Sequence, residues 1–187
     1  MPCAPAPRVA LVSTPPRRDP SPAGALVDRA RLILRGVADP EIPVISVLDL
    51  GIVRSVDASG DGVAVSVTPT YAGCPATHVI EQDIVAALQA GGIAAHVVTR
   101  LSPPWTTDWI TPEGRVRLRE YGIAPPGPVS GSGAQAIRFV DRQPEPVSCP
   151  QCGSVRTECL SQFGSTACKA LYRCLECREP FDYFKPL

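Results

Sequence analysis

Apolar and polar residues alternate along the first part of the chain in patterns that are typical of short helices and strands. Apolar residues at helical spacing predict an amphipathic helix over Ala25–Val37, which ends at Asp39-Pro40 because a residue before proline avoids helical angles. Strict alternation predicts two strands, Ile52–Val56 and Val63–Thr68, and the flexible residues Gly60-Asp61-Gly62 predict a hairpin turn between them. The chain therefore begins with one helix followed by two antiparallel strands.

The pattern then changes back to helical spacing. Three apolar residues at this spacing predict a second helix, which follows the segment Thr70–Pro75 and ends near Ala90. Ile93–Leu101 alternates well enough to form a third strand. Thr111-Pro112-Glu113 has the capping residue, proline and acidic residue that begin a helix, and this third helix runs to Tyr121. The order α-β-β-α-β-α predicts a compact α+β domain whose helices cover one face of a small sheet.

Cys74 lies between the second strand and the second helix, and Pro75 follows it. Because proline is favoured at the first helical position, we predict that Cys74 is the N-cap. The unpaired amides and the dipole of a helix start stabilise a thiolate and can lower its pKa from about 8.5 to roughly 3.5–7.5. Such a thiolate is a nucleophile and a soft metal ligand. The alternative is a small apolar residue packed beneath a turn.

Other polar groups near this turn are candidates to assist the thiol. Asp39, Glu41 and Asp49 lie in the extended segment before the first strand, and they approach Cys74 if that segment crosses the helix start. Capping and backbone hydrogen bonding are an equally plausible use of these carboxylates. His78 follows Cys74 by four residues and could share a metal with it, the alternative being a solvated histidine on an exposed turn.

The C-terminal part of the chain has a different composition, because six of the eight cysteines lie in the last 41 residues. Two C-x-x-C pairs, Cys149/Cys152 and Cys174/Cys177, are separated by 21 residues, slightly more than the roughly 15–20 of most zinc ribbons. A segment of about 40 residues rarely folds without a metal or disulfides. We therefore predict a structural zinc with four cysteine ligands and no open position. Rubredoxin-type iron is the alternative.

Besides Cys74, three cysteines lie outside this pattern. For Cys159 and Cys168 the simplest interpretation is ordinary packing within the ribbon, but Cys168 follows the small-residue stretch Gly164–Ala167 and could be exposed and functional. Cys3 receives no role. The ribbon has five basic and four acidic residues, which is a weak basis for binding phosphate.

Composition divides the chain into four parts: a disordered tail over 1–24, the α+β domain over 25–122, a Pro- and Gly-rich linker over 123–146 and the ribbon over 147–187. The formal net charge of zero argues against binding nucleic acid through a broad basic surface. No apolar run is long enough to span a membrane or resembles a secretory signal. Paired cysteines that hold metal indicate the reducing cytoplasm.

Two segments resemble a known family. The chain is similar to the metal–sulfur cluster assembly factors, the SufT-like domain, over two stretches. These are Asp39–Arg54, with the sequence DPEIPVISVLDLGIVR, and Thr70–Ile80, with the sequence TYAGCPATHVI. Those proteins take part in iron–sulfur protein maturation and have a cysteine that matches Cys74. The resemblance implies that Cys74 holds iron or an iron–sulfur cluster transiently. It also implies that Asp39, Glu41 and Asp49 are motif residues of this family.

The rest of the chain narrows the resemblance. Ser102–Pro126 and the ribbon, CPQCGS to FDYFK, resemble the D-protein family of phenylacetic-acid degradation. This implies an accessory maturation factor for a phenylacetyl-CoA epoxidase, whose oxygenase or reductase component is the partner. The chain lacks the Glu-x-x-His pairs of a di-iron site and any nucleotide fingerprint. A structural subunit and a rubredoxin-like electron carrier are alternatives, and an exposed thiol would suit a homodimer that shares one cluster.

Overall fold

The computed structural model describes residues 21–71, 73–127 and 146–186. Within these ranges the chain forms two small sheets and three α-helices. Cys3, nearly all of the predicted tail, and residues 128–145 of the predicted linker lie outside the described residues.

The first helix, α1, spans Pro22–Leu34 and so begins earlier than predicted. The Ser21 hydroxyl accepts a hydrogen bond from the Gly24 amide at 3.2 Å, and Pro22 occupies the first helical position. A serine cap followed by proline is a strong start signal. The last residues of the predicted tail are therefore helical.

The first sheet has three strands in the order β1-β2-β3. β1 (Val53–Ser59) and β2 (Gly62–Val67) are antiparallel and joined by the predicted hairpin turn. β3 (Ala95–Thr99) runs parallel to β2, and the helix α2 (Ala76–Ala90) makes the crossover between them. The predicted α+β architecture with a small sheet is confirmed.

The core of this domain lies between the sheet and its helices. Val63, Val65 and Val67 alternate along β2 and are at most 1 % exposed. α1 and α2 contact this sheet and each other, so they cover the same face, with Ile84 and Leu88 of α2 fully buried there. Removing such side chains from water is the main stabilising contribution to the fold.

The third helix, α3, spans Pro112–Glu120 and has Thr111 as its N-cap, as the sequence predicted. The Thr111 hydroxyl accepts a hydrogen bond from the Gly114 amide at 3.0 Å. A short 3₁₀-helix over Thr107–Trp109 precedes it and was not predicted. Trp105, just before this turn, donates its indole N–H to the carbonyl of Leu50 at 3.1 Å.

The second sheet forms the C-terminal ribbon and has the strand order β4-β7-β6-β5. Three of its strands follow the first cysteine pair: β5 (Thr157–Ser161), β6 (Lys169–Cys174) and β7 (Pro180–Phe184). The fourth, β4 (Ile123–Ala124), pairs in parallel with β7. The first two residues of the predicted linker therefore belong to the sheet of the ribbon.

The ribbon packs directly onto the first domain. The rings of Trp105 and Phe184 lie 5.9 Å apart, and Phe184 and Cys168 are buried in the same core as the helices and the first sheet. The ribbon is thus a part of the folded body and covers one end of the domain. Among the described residues, no helix has the length and apolar character needed to cross a membrane.

Candidate functional site

The four cysteines of the two C-x-x-C pairs meet at one end of the ribbon. The Sγ atoms of Cys149 and Cys177 are 3.7 Å apart, those of Cys152 and Cys174 are 3.5 Å apart, and all four lie within 4.8 Å of one another. These separations are much longer than the roughly 2.05 Å of a disulfide. A tetrahedral metal with Zn–S bonds of about 2.3 Å has S–S edges of about 3.8 Å. The sulfur positions therefore fit a four-cysteine metal site.

The hydrogen bonds and charges of this cluster also suit a cation. Burial raises the pKa of Cys174, but the amides of Cys177 and Glu176 and neighbouring thiols outweigh that effect and hold it at about 7. The amide of Glu179 lowers the pKa of Cys177, but burial and neighbouring thiols outweigh that donor and raise the pKa to about 12. Sulfurs held so close together keep a proton unless a metal ion replaces it.

The turn that carries Cys74 differs in one respect from the prediction. Helix α2 begins at Ala76 with Pro75 as its N-cap, so Cys74 is one residue before the cap and not the cap itself. The amide of Cys74 donates to the carbonyl of Tyr71 at 3.1 Å, and the amide of Thr77 donates to the carbonyl of Cys74 at 3.2 Å. These bonds close a tight turn, which delays the regular helix by one residue.

Cys74 lines a small cavity of about 20 Å³, about the space of one water molecule. Asp39 and Glu41 line the same cavity, as the sequence suggested for the segment before the first strand. Cys168 and Phe184 line it from the ribbon. The cavity therefore lies where the ribbon meets the domain, and its lining includes two cysteines and two acidic residues among mostly apolar side chains.

Asp39 is held rigidly at this cavity. The side chain is 7 % exposed, and its Oδ1 accepts hydrogen bonds from the amides of Glu41 and Ile42, both at 2.9 Å. Burial raises the pKa of Asp39, while the two amides and the charge of Lys169 in the ribbon lower it in part. The carboxylate thus orders its own backbone segment and also faces the cavity.

Asp49 lies in a different network. Its Oδ2 accepts hydrogen bonds from the Ser46 hydroxyl at 2.9 Å and from Arg117 at 3.2 Å, and its Oδ1 accepts one from the Thr111 hydroxyl at 3.2 Å. Asp49 does not line the cavity with Cys74. It joins the turn before β1 to the start of α3.

His78 does not join the group either. Its side chain is 77 % exposed, with Nε2 3.0 Å from the Gln82 amide nitrogen and Nδ1 3.9 Å from Glu81. It does not line the cavity, so its position agrees with the solvated alternative.

Cys168 is buried, as the packing interpretation predicted. It is 7 % exposed, so the alternative of an exposed thiol is wrong, and its Sγ lies 3.0 Å from the Thr166 hydroxyl. Burial raises its pKa. Burial also raises the pKa of Tyr71, and negative charge on Cys74, Glu41 and Cys168 raises it further, because these three residues all lie near Tyr71. No local pattern could have indicated this, because Cys74 and Cys168 belong to different units.

Known families match two separate parts of the chain. Residues 28–98 match the family described as iron-sulfur cluster assembly protein. Residues 134–185 match the family described as PaaD zinc beta ribbon domain. The fold and these matches define an iron–sulfur cluster assembly domain joined to a zinc ribbon.

Two relatives extend this result. A protein of Escherichia coli K12 with the provisional name of 1,2-phenylacetyl-CoA epoxidase D-subunit is 52 % identical over 82 % of this chain and 88 % of its own length. The Fe-S protein maturation auxiliary factor of Porphyromonas gingivalis W83 is 36 % identical over 46 % of this chain and 84 % of its own length. The chain belongs to the D-subunit family of 1,2-phenylacetyl-CoA epoxidase.

A solved structure is similar to half of this chain. The crystal structure of a domain of unknown function, DUF59, from Bacillus anthracis covers 50 % of this chain and 92 % of its own, with 24 % identity and a TM-score of 0.47.

Proposed function

We propose that this protein is an accessory maturation factor of the phenylacetyl-CoA epoxidase system and that Cys74 holds iron or an iron–sulfur cluster for delivery. Its kinship with the epoxidase D-subunit and the match to the cluster assembly family support a role in the phenylacetate system and in iron–sulfur chemistry. We infer that the protein matures another component of this system and does not itself catalyse epoxidation.

The observation that carries the proposal is the group of donors around Cys74. A thiol and two carboxyl groups, Asp39 and Glu41, line one cavity beside the start of α2. Sulfur and carboxylate oxygen are both ligands of iron in proteins. The four cysteines of the ribbon have no open position once they hold a metal, so that site is structural and leaves the transfer to Cys74.

We also propose that the two units of the chain have different roles. Residues 25–122, together with the start of α1 at Pro22, form the assembly unit. Residues 147–187, together with β4, form the ribbon, and the rest of 123–146 joins the two. The client is the oxygenase or reductase component of the epoxidase, and it docks where the ribbon and the assembly unit meet. Thiols in this role need to stay reduced, which suits the cytoplasm.

Replacement of Cys74 by serine tests the proposal in cells that grow on phenylacetate. Serine removes the thiolate and little volume, so we expect growth to stop and the epoxidase to be purified with less than its full metal content. Cys159→Ser is the matched control, because Cys159 is an exposed cysteine outside the cavity. Normal growth with a fully metallated epoxidase in the Cys74→Ser strain would reject the proposal.

The ribbon supports a second candidate, because a cage of four sulfurs accepts iron in much the same geometry as zinc. A rubredoxin-like ribbon would make the protein an electron carrier of the oxygenase complex. Quantification of zinc and iron in protein purified without added metal decides between them. One zinc per chain and no colour excludes the electron carrier, whereas one iron per chain with a visible absorption band establishes it.

A purely structural subunit is the remaining alternative. It predicts that the protein co-purifies with the oxygenase in a fixed ratio and that Cys74→Ser has no effect on growth. The experiment on Cys74 therefore separates this alternative from maturation as well.

A further inference from the structure

We propose that Cys168 is a second sulfur ligand for the metal that Cys74 holds, so that the domain and the ribbon together form one site for a single divalent cation such as Fe(II). The inference rests on the proposed function, because it names the chemistry and the ligands of that same site. It gives the ribbon a direct part in holding the cargo, in addition to its own structural metal.

The placement of Cys168 is the first argument. It lines the same cavity as Cys74 although it lies in the other unit of the chain. Its carbonyl accepts a hydrogen bond from the Lys185 amide at 2.9 Å, which ties it to the end of β7. Phe184 on β7 pairs with Lys169, the residue after Cys168, and is fully buried. The ribbon therefore holds this thiol at the cavity by backbone pairing and by a buried ring.

The set of donors is the second argument. Oδ1 of Asp39 is occupied by two amides, and among the described residues Oδ2 makes no hydrogen bond. The side chain is more than nine-tenths buried and lines the cavity together with Glu41. Two thiols with carboxylate oxygens suit Fe(II) or Zn(II), whereas Mg²⁺ and Ca²⁺ prefer oxygen alone.

Charge favours a cation at this point. Two thiols and two carboxyl groups around one cavity become strongly negative when the thiols lose their protons to solvent on binding. Lys169 is the ribbon cation that acts on Asp39, but its Nζ lies 3.1 Å from the carboxylate of Asp182, which shares its charge. A divalent ion is the natural means of compensating this negative charge.

The size of the cavity suits a single ion. A volume of about 20 Å³ is about the space of one water molecule, which fits one ion better than a cluster with bridging sulfides. The candidate ligand atoms around Cys74 also lie less close together than the four sulfurs of the ribbon. Among the described residues, only the four ribbon cysteines form a set of three or more such ligand atoms within 4.8 Å of one another. Binding at Cys74 therefore requires side chains to turn inward, and the resulting lower affinity suits a metal that is passed on.

The test uses the full chain with zinc already in the ribbon and Co(II) as the probe, added without oxygen. Thiolate ligands give Co(II) an intense sulfur-to-metal charge-transfer band whose strength grows with the number of sulfurs. We expect one additional Co(II) per chain with this band in the wild type. Cys74→Ser and Cys168→Ser should each lose about half of the band and bind at least tenfold more weakly, and Cys159→Ser should match the wild type.

Alkylation of the wild type provides a measurement that does not depend on folding of the variants. Bound Co(II) should slow the modification of Cys74 by iodoacetamide, and the slower modification of the buried Cys168, at least tenfold each relative to the metal-free site, as followed by mass spectrometry, and leave Cys159 unchanged.

The outcomes separate this inference from the proposed function. If Cys168→Ser binds Co(II) like the wild type while Cys74→Ser does not, or if only Cys74 is protected, the second ligand is disproved and the role of Cys74 stands. If the zinc-loaded wild type binds no further Co(II), both this inference and metal holding by Cys74 are wrong.

Discussion

At the scale of single residues, the site depends on how each polar group is held. Asp39 has two uses, since one oxygen orders the backbone and the side chain also faces the cavity. Asp49, from the same stretch of sequence, is committed to Thr111 and Arg117. Asp39 and Asp49 thus have the same side chain and lie in the same segment, but only Asp39 has a carboxylate oxygen available to a ligand at the cavity.

Two substitutions of Asp39 separate its structural use from its chemical use. Asp39→Asn keeps an oxygen for the amides of Glu41 and Ile42, so the free energy of unfolding should change by less than about 1 kcal/mol. Asp39→Ala leaves both amides without this acceptor and should cost about 1–3 kcal/mol. Denaturant unfolding of the zinc-loaded protein measures both. A loss in Asp39→Asn as large as that in Asp39→Ala would show that the charge itself stabilises the fold.

The charge of Asp39 also predicts a dependence on pH. Burial raises its pKa in the folded state above the ordinary value of 3.8, so the folded protein binds more protons than the unfolded chain between those two values. The contribution of Asp39 to stability is then lost as pH rises through this interval and is constant above it. The stability of Asp39→Asn relative to wild type should therefore increase from about pH 4 upward and then level off. A relative stability that falls with pH would contradict the raised pKa.

At the scale of elements, turns and caps fix where each strand and helix begins. Gly62 starts β2 at a point where a Cβ atom would overlap the carbonyl oxygen of Ala94. Thr111 caps α3 and also binds Asp49. These contacts align the sheet and α3 with the segment that carries Asp39.

Gly62→Ala should be strongly destabilising, because the new methyl group overlaps backbone of the neighbouring segment. We expect a loss of about 3 kcal/mol in the free energy of unfolding. Gly60→Ala in the same turn is the matched control, because its position is open and only its left-handed backbone, with φ of +56°, opposes the substitution. Its cost should be about 1 kcal/mol. Equal losses at both positions would show that the steric contact with Ala94 is relieved without cost.

Thr111→Ala should remove the cap of α3 and lower the free energy of unfolding by about 1 kcal/mol. Loss of the contact to Asp49 should add somewhat to this effect. Thr111→Ser keeps the hydroxyl and should retain most of the stability. Thermal unfolding of the two variants checks this, and an unchanged midpoint in Thr111→Ala would mean that solvent satisfies the Gly114 amide equally well.

At the scale of the whole molecule, the ribbon completes the core of the first domain. Phe184 and Cys168 are buried there, and Trp105 packs against Phe184. A small unit of this size depends on its metal to fold, so the metal of the ribbon indirectly supports the cavity beside Cys74.

Removal of the metal should therefore destabilise the first domain and not only the ribbon. We expect a chelator to lower the unfolding midpoint and to increase amide hydrogen exchange in α2, which lies remote from the four cysteines in sequence. Trp105→Ala should cost about 3–5 kcal/mol and weaken this coupling. Unchanged exchange in α2 after metal removal would show that the two units are in contact without stabilising each other.

Local patterns were enough to predict much of the first domain. Period-two and helical spacing predicted the order of its strands and helices, the cap at Thr111 predicted the start of α3, and the two C-x-x-C pairs predicted which four cysteines meet in the ribbon. The turn at Cys74 was predicted to within one residue, because the position of a proline restricts the helix start without choosing its cap. Each of these features is decided by residues that are close along the chain.

The tertiary structure alone decided which distant groups meet. It placed Cys168 beside Cys74, directed Asp49 to Arg117, and paired β4 with β7 across a long stretch of sequence. The spacing of apolar residues along the chain cannot predict such contacts. They form when apolar surfaces that are distant in sequence, such as those of Trp105 and Phe184, are buried together. The composition of the cavity beside Cys74 is therefore a property of how the ribbon packs on the domain.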